Sequence, residues 1–157
     1  MLSKKETMNQ AKVFAEEGFL CSESVCLALS KTLGVKSNLI PRIATGFGAG
    51  IGRHGEICGA LSGAILGLGL QFGRNHPSET PEGESPYEYS HTMLNLFITR
   101  FGHIGCKDLL KLDISSEEGL QKYREDKLWE SKCRDIIQIA TGLAYDVLEV
   151  KATDLNR

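Results

Sequence analysis

Cys58-Gly59-Ala60-Leu61-Ser62-Gly63-Ala64-Ile65-Leu66-Gly67-Leu68-Gly69-Leu70-Gln71-Phe72-Gly73 is the stretch whose reading decides the fold. Leu61, Ile65, Leu68 and Phe72 recur three or four apart, the spacing of one helix face. Gly59, Gly63 and Gly67 recur every four residues, with Ala60 and Ala64 beside them. An interior glycine costs about 1 kcal/mol of helix propensity relative to alanine. The usual compensation is close approach of another helix along the smooth face. The segment is hydrophobic nearly all round, yet too short and glycine-rich to span a bilayer, which takes roughly 20 apolar residues. It reads as the buried, Gly-rich central helix of an all-α protein.

Working outward, apolar periodicity predicts helices over residues 3–17, 22–33, 38–46, 58–73, 86–101, 106–111, 116–128 and 133–149. Gly18 is placed to stop the first. Ser37 or Asn38 is placed to cap the third. Ser85, Pro86 and Glu88 spell a capping box before the fifth, and Ser115 with Glu118 repeats that spacing before the seventh. Alternating strand-like runs with turn dipeptides are absent, so no sheet is expected. The expected fold is an all-α bundle of six to eight helices, with residues 1–157 forming a single helical four-cysteine domain.

Two segments interrupt the pattern. Residues 74–86 are polar and proline-containing, which predicts a surface loop. Residues 46–55 carry Gly46, Gly48, Gly50, Gly52 and Gly55 just before Cys58, a composition suited to a close turn or to backbone N–H groups lining a site. Gly50, Gly52 and Gly55 also spell G-x-G-x-x-G, but the dinucleotide fingerprint needs a preceding strand and a βαβ unit. Helical sequence stands there instead.

Four of the five cysteines stand where helices are expected to begin, each in phase with the apolar stripe that follows. Cys21 leads Val25, Ala28 and Leu29, Cys58 leads Leu61, and Cys106 leads Leu109 and Leu110. Cys133 leads Ile136, Ile137, Ala140 and Ala144. A helix start offers free N–H groups and a positive dipole end, which is expected to lower a thiol's pKa. Four such thiols aimed inward make one shared redox or metal site. The competing reading is four small hydrophobes packed in a core. Cys26 lies about 140° round the helix from Cys21, at 100° per residue, and is read as packing. No C-x-x-C pair exists, which excludes a zinc ribbon or thioredoxin-type motif.

His54 and His103 precede Cys58 and Cys106 closely enough to offer a nitrogen ligand or a proton, though a solvated loop position is the favoured reading of both. His76 falls in the polar loop, and His91 is expected on the outer face of the fifth helix. Arg53 is placed to offset thiolate charge.

Composition narrows the setting. Hydrophobic residues at 41% and charged residues at 24% are those of a globular protein, and a net charge of −2 gives no reason to expect nucleic-acid binding. No stretch reaches membrane-spanning length, and Met1–Gln10 is polar without an apolar signal-peptide core. A reducing cytoplasm is the expected compartment, and an odd cysteine count there argues against a disulfide framework.

These residues resemble a known family. Cys58-Gly59-Ala60-Leu61-Ser62-Gly63 matches the CGAxxG signature of the redox-active proteins named for a C…CGAxxG…C…C cysteine pattern. The resemblance runs from about residue 18 to residue 149. It includes Cys21-Ser22-Glu23-Ser24-Val25, the glycine-rich lead 46–55, Phe101-Gly102 before Cys106, and Cys133 before the last helix. The family cysteines fall on Cys21, Cys58, Cys106 and Cys133, and Cys26 is additional. The resemblance implies a bacterial or archaeal protein with genes near transporter genes, and electron-transfer company, since related cysteine domains occur fused to haem-binding modules. This chain has no C-x-x-C-H for covalent haem.

Three functions are ranked from this reading. The first is an electron-transfer protein whose four cysteines bind an iron–sulfur cluster. The second is a metal-free thiol–disulfide redox protein or sensor, with Cys58 paired to another family cysteine. The third is an interaction module in which four thiolates hold structural zinc. A redox partner protein is expected, a homo-oligomer is left open, and a transporter link is implied by the resemblance alone.

Overall fold

The structure, a computed structural model, describes residues 1–80 and 85–154. The fold is all-α: 71% of the described residues are helical, and no strand is present among them. Among the described residues eight helical segments follow one another: α1 Lys4–Glu16, α2 Cys21–Thr32, α3 Gly48–Ile51 (a single turn with left-handed backbone inside it), α4 Gly59–Phe72, α5 Glu88–Phe101, α6 Cys106–Leu110, α7 Glu117–Glu125 and α8 Arg134–Asp154. No helix among the described residues is long and apolar enough to cross a membrane.

The expected stop at Gly18 holds, and α1 has a cap at its start that the sequence reading did not name. Ser3 caps α1, closing a box in which Glu6 N–H donates to Ser3 Oγ at 3.3 Å and Ser3 N–H donates to Glu6 Oε2 at 2.8 Å. Gly18 follows α1 at φ +103°, a left-handed stop that suits glycine. Two expected caps differ. α5 begins at Glu88 behind Tyr87, and Ser85 Oγ accepts from Tyr87 N–H rather than from the third turn residue. α7 is capped by Ser116, whose Oγ accepts from Gly119 N–H at 3.0 Å, one residue later than expected.

The helix expected over 38–46 is not an α-helix: a 3-10 turn, Arg42–Phe47, stands there. Pro41 explains the difference, since it lacks an N–H to donate and holds its neighbour Ile40 out of the helical region. Within the expected loop 74–86, Pro77–Glu79 makes one further 3-10 turn, and residues 81–84 lie outside the described residues.

α4 packs on α2, α5 and α8, while α1 closes over α2 and α8. The shared core takes Val25, Ala28 and Leu29 from α2, and Ala60, Leu61, Ala64 and Leu68 from α4. α5 adds Met93 and Phe97, and α8 adds Ile137, Ala140, Ala144, Val147 and Leu148. The first half of α4 is fully buried, whereas Ile65, Leu66, Gly69 and Leu70 are half-buried, so the helix is less enclosed than its composition suggests. A second, smaller apolar cluster gathers Cys106, Leu110 and Ile114, with Tyr123, Leu128 and Cys133 against it.

Candidate functional site

The glycine face of α4 meets the start of α2. A Cβ at Gly59 would fall on Cys21 Sγ, and would stand 3.0 Å from the Phe47 carbonyl. A Cβ at Gly63 would fall on the backbone of Ser22, 2.9 Å from its Cα. Both glycines of the C-G-A-x-x-G run therefore exist to let the Cys21 turn close on the Cys58 turn. Ser22 holds this corner from the other side, donating to the Ala44 carbonyl at 2.7 Å in a fully buried position.

The glycine-rich loop wraps the same corner with an unusual backbone. Ala49 (φ 53°), Gly50 (φ 68°), Ile51 (φ 61°), Gly52 (φ 59°) and Arg53 (φ 68°) are all left-handed in succession. For an L-residue that conformation costs about 1–2 kcal/mol each, so Ala49, Ile51 and Arg53 are strained. The loop holds itself through Gly52 N–H to the Gly46 carbonyl and Glu56 N–H to the Gly50 carbonyl, both at 3.0 Å. Gly50 has no room for a side chain, because a Cβ would stand 2.6 Å from Glu56 N. The result aims the Ala49 N–H at the sulfur of Cys21. The G-x-G-x-x-G match here serves this turn and has no sheet beside it.

A backbone clamp joins the next two cysteines. Cys58 N–H donates to the Ile104 carbonyl at 2.7 Å, and Cys106 N–H donates to the Glu56 carbonyl at 2.6 Å. Ile57 and Gly105 face each other between those bonds in a single antiparallel bridge. Each cysteine then enters its helix at once, Cys58 as the residue preceding α4 and Cys106 as the first residue of α6.

Cys133 arrives differently from expectation. It does not begin its helix but ends a π-helical turn, Trp129–Cys133, that runs straight into α8. Single π turns inside α-helices concentrate at functional sites because the wider turn redirects side chains. Here Trp129, Cys133 and Ile136 all face one cavity. Tyr123 of α7 reaches the same place, its Oη 3.4 Å from Cys133 Sγ.

The cavity measures about 290 Å³, and Cys21, Cys58, Cys106 and Cys133 all line it, with Ala49, Arg53, Tyr123 and Trp129. Cys21 and Cys58 come to it from the main core, Cys106 and Cys133 from the smaller cluster. Gly18, Leu20 and Arg53 on its rim are exposed, so the cavity opens to solvent on that side. All five cysteines are free thiols.

The expected lowering of thiol pKa values does not occur. Burial pushes Cys106 up to about 12 and Cys133 up to about 11, and raises Cys21 and Cys58 as well. The helix-start amides do act in the predicted sense: Ala60 and Leu61 N–H groups favour the Cys58 thiolate, and the Ala49 N–H favours that of Cys21. Desolvation outweighs them, and thiolate charge on neighbouring members of the set adds to the rise. Tyr123 opposes the rise at Cys133 through its hydrogen bond.

The remaining candidates stand apart. Cys26 is fully buried inside α2 and does not line the cavity. His54 and His103 are exposed and absent from the cavity wall, as are His76 and His91. Arg53 does line it, from an exposed position. Tyr123 and Trp129 were not legible as site residues. Tyr123 precedes Cys133 by ten residues across a helix break, and only the Cys133 turn brings it in.

Fold and site together define a helical protein with four thiols lining one cavity. The chain matches, over residues 19–147, the family described as "Putative redox-active protein (C_GCAxxG_C_C)", and it belongs to that family. That label writes the motif as GCAxxG, whereas this chain reads Cys58-Gly59-Ala60-Leu61-Ser62-Gly63. No curated protein and no solved structure matches the chain.

A tetrahedral zinc ion with Zn–S near 2.3 Å needs its sulfurs roughly 3.8 Å apart. Among the described residues no three Cys, His, Asp or Glu side chains are gathered closely enough to hold an ion. In a [4Fe–4S] cluster each thiolate binds its own iron and the thiolates stand farther apart, whereas in a [2Fe–2S] cluster two thiolates share each iron. Cys21, Cys58, Cys106 and Cys133 line one cavity, with backbone amides at the sulfurs of Cys21 and Cys58 and a phenol at that of Cys133, a thiol set of the kind such centres use.

Proposed function

We propose that this protein is an electron-transfer protein whose Cys21, Cys58, Cys106 and Cys133 together bind an iron–sulfur cluster. The observation that carries the reading is the single cavity of about 290 Å³ lined by all four thiols. Such a centre supplies one-electron chemistry when bound. The chain's own residues supply the rest. Cys58 and Cys106 are held by the backbone clamp, and Cys21 by the close approach of α2 to Gly59. The Ala49, Ala60 and Leu61 N–H groups offset negative charge at the sulfurs, and most of the wall is apolar. A function of this kind calls for a redox partner protein.

Raised thiol pKa values set a proton cost on any thiolate chemistry at this site. A thiol near 11 or 12 is almost wholly protonated at neutral pH and is a poor attacking nucleophile, which weighs against a disulfide-exchange role. Cluster ligation instead drives the protons off, so uptake strengthens as pH rises.

The test is anaerobic purification from iron-replete cells, with iron and acid-labile sulfide counted and the visible spectrum recorded. The expected product is brown, with charge-transfer absorption and iron and sulfide in equal amounts. Colourless protein with neither, also after anaerobic reconstitution, overturns the reading. Zinc at one per chain would transfer the site to structural zinc.

A further inference from the structure

We propose that Tyr123 is a positioning residue that sets the reduction potential of the four-thiol centre by donating its phenolic hydrogen bond to Cys133 Sγ. The proposal rests on the iron–sulfur reading above. Tyr123 belongs to α7, which contributes none of the four thiols, yet its Oη lies 3.4 Å from Cys133 Sγ and its ring lines the cavity. A ligating cysteine carries no S–H, so the phenol is the donor. Among the described residues Tyr123 is the side chain that donates to any of the four sulfurs, the other donors being backbone amides.

The surroundings make this bond consequential. Tyr123 is half-buried against Cys106, Leu110 and Ile114, and α7 is anchored at its start by Ser116 and at Gly119, where a Cβ would strike the Asp113 carbonyl. A hydrogen bond in apolar surroundings is electrostatically stronger than one in water. One electron, delivered in the assay by dithionite, makes the sulfurs more negative on reduction; no bond is broken and the phenol keeps its proton. A donor at Cys133 stabilises the reduced state more than the oxidised one, so the potential is higher with Tyr123 than without it.

Tyr123→Phe keeps the ring and deletes the donor. Full-length wild type and variant are loaded anaerobically, their iron and sulfide counted, and titrated with dithionite while the visible spectrum is followed. The expected result is equal iron content and a lower midpoint potential in the variant. Tyr145→Phe removes a hydroxyl that donates to the Leu2 carbonyl at 3.1 Å, outside the cavity wall, and leaves the midpoint unchanged. Replacing Tyr123 with 3-fluorotyrosine, a stronger donor of nearly the same shape, moves the midpoint up. That arm decides the matter if the phenylalanine variant fails to load. Loaded wild type with no shift in either Tyr123 variant overturns the Tyr123 role alone. Wild type that takes up no iron overturns the cluster reading and this proposal with it.

Discussion

A thiol at a helix start experiences two opposing influences, and in this protein their balance can be followed residue by residue. The amides of Ala60 and Leu61 lower the pKa of Cys58, but withdrawal from water raises it further. Cys26, deep in α2, has no opposing amide and stands at about 11. An unfolded thiol titrates near about 8.5. The folded values lie above the unfolded one, so their contribution to stability is fully present below about 8.5. It declines as pH rises toward the folded values near 11 and 12 of Cys133 and Cys106, because the unfolded chain releases thiol protons that the folded chain retains. Metal-free protein kept under reductant should therefore show a lower urea midpoint at pH 9.5 than at pH 7.5. A midpoint unchanged over that interval would mean that the thiols are not desolvated.

At the scale of the helix, the glycines of α4 are not equivalent, although the repeat makes them look alike. A Cβ at Gly63 would enter the Ser22 backbone and one at Gly67 would enter the Leu29 side chain, whereas one at Gly69 meets only Tyr89 Oη at 3.6 Å. Gly63→Leu should destabilise by at least about 1–3 kcal/mol through overpacking. Gly69→Ala should stabilise by up to about 1 kcal/mol, since it gains helix propensity without a clash. Denaturant midpoints of the two variants check the pair, and a neutral Gly63→Leu would show that this face does not bear on α2. The close packing of Gly59 and Gly63 was legible in their spacing because a four-residue period is a property of one helix. The inward phase of Cys21, Cys58 and Cys106 was legible for the same reason. The left-handed run from Ala49 to Arg53 was not, since glycine content permits either hand and three of its five members are not glycine. The π turn before α8 was equally hidden, because one added residue per turn leaves no compositional mark, and Cys133 was assigned to a helix start that lies a turn earlier. Pro41 is a legible warning against a helix over 38–46 that apolar spacing alone does not register.

For the whole molecule, the distribution of sulfur between two apolar clusters decides what each cysteine does. Cys21 and Cys58 face the cavity from the large core and Cys106 and Cys133 from the small one, so a centre bound by all four would cross-link the clusters and stabilise the fold by mass action. Cys26 is fully buried, belongs to neither cluster and does not line the cavity. The same chemical change should therefore have opposite signatures at the two kinds of position. Cys26→Ser introduces a buried hydroxyl and should cost about 1–3 kcal/mol of stability in the metal-free protein, with iron and sulfide per folded chain unchanged. Cys58→Ser and Cys106→Ser replace a soft thiolate ligand by a hydroxyl and should lose most of the bound iron. They should also lose the rise in melting temperature that loading gives the wild type. Iron analysis together with thermal melts of loaded and metal-free protein separates the two patterns. Should Cys26→Ser lose iron as Cys58→Ser does, the centre would extend into α2 beyond the cavity wall. Should Cys58→Ser and Cys106→Ser keep their full iron, the four thiols would be packing residues around an apolar void, and the shared site would be lost as an explanation of their arrangement.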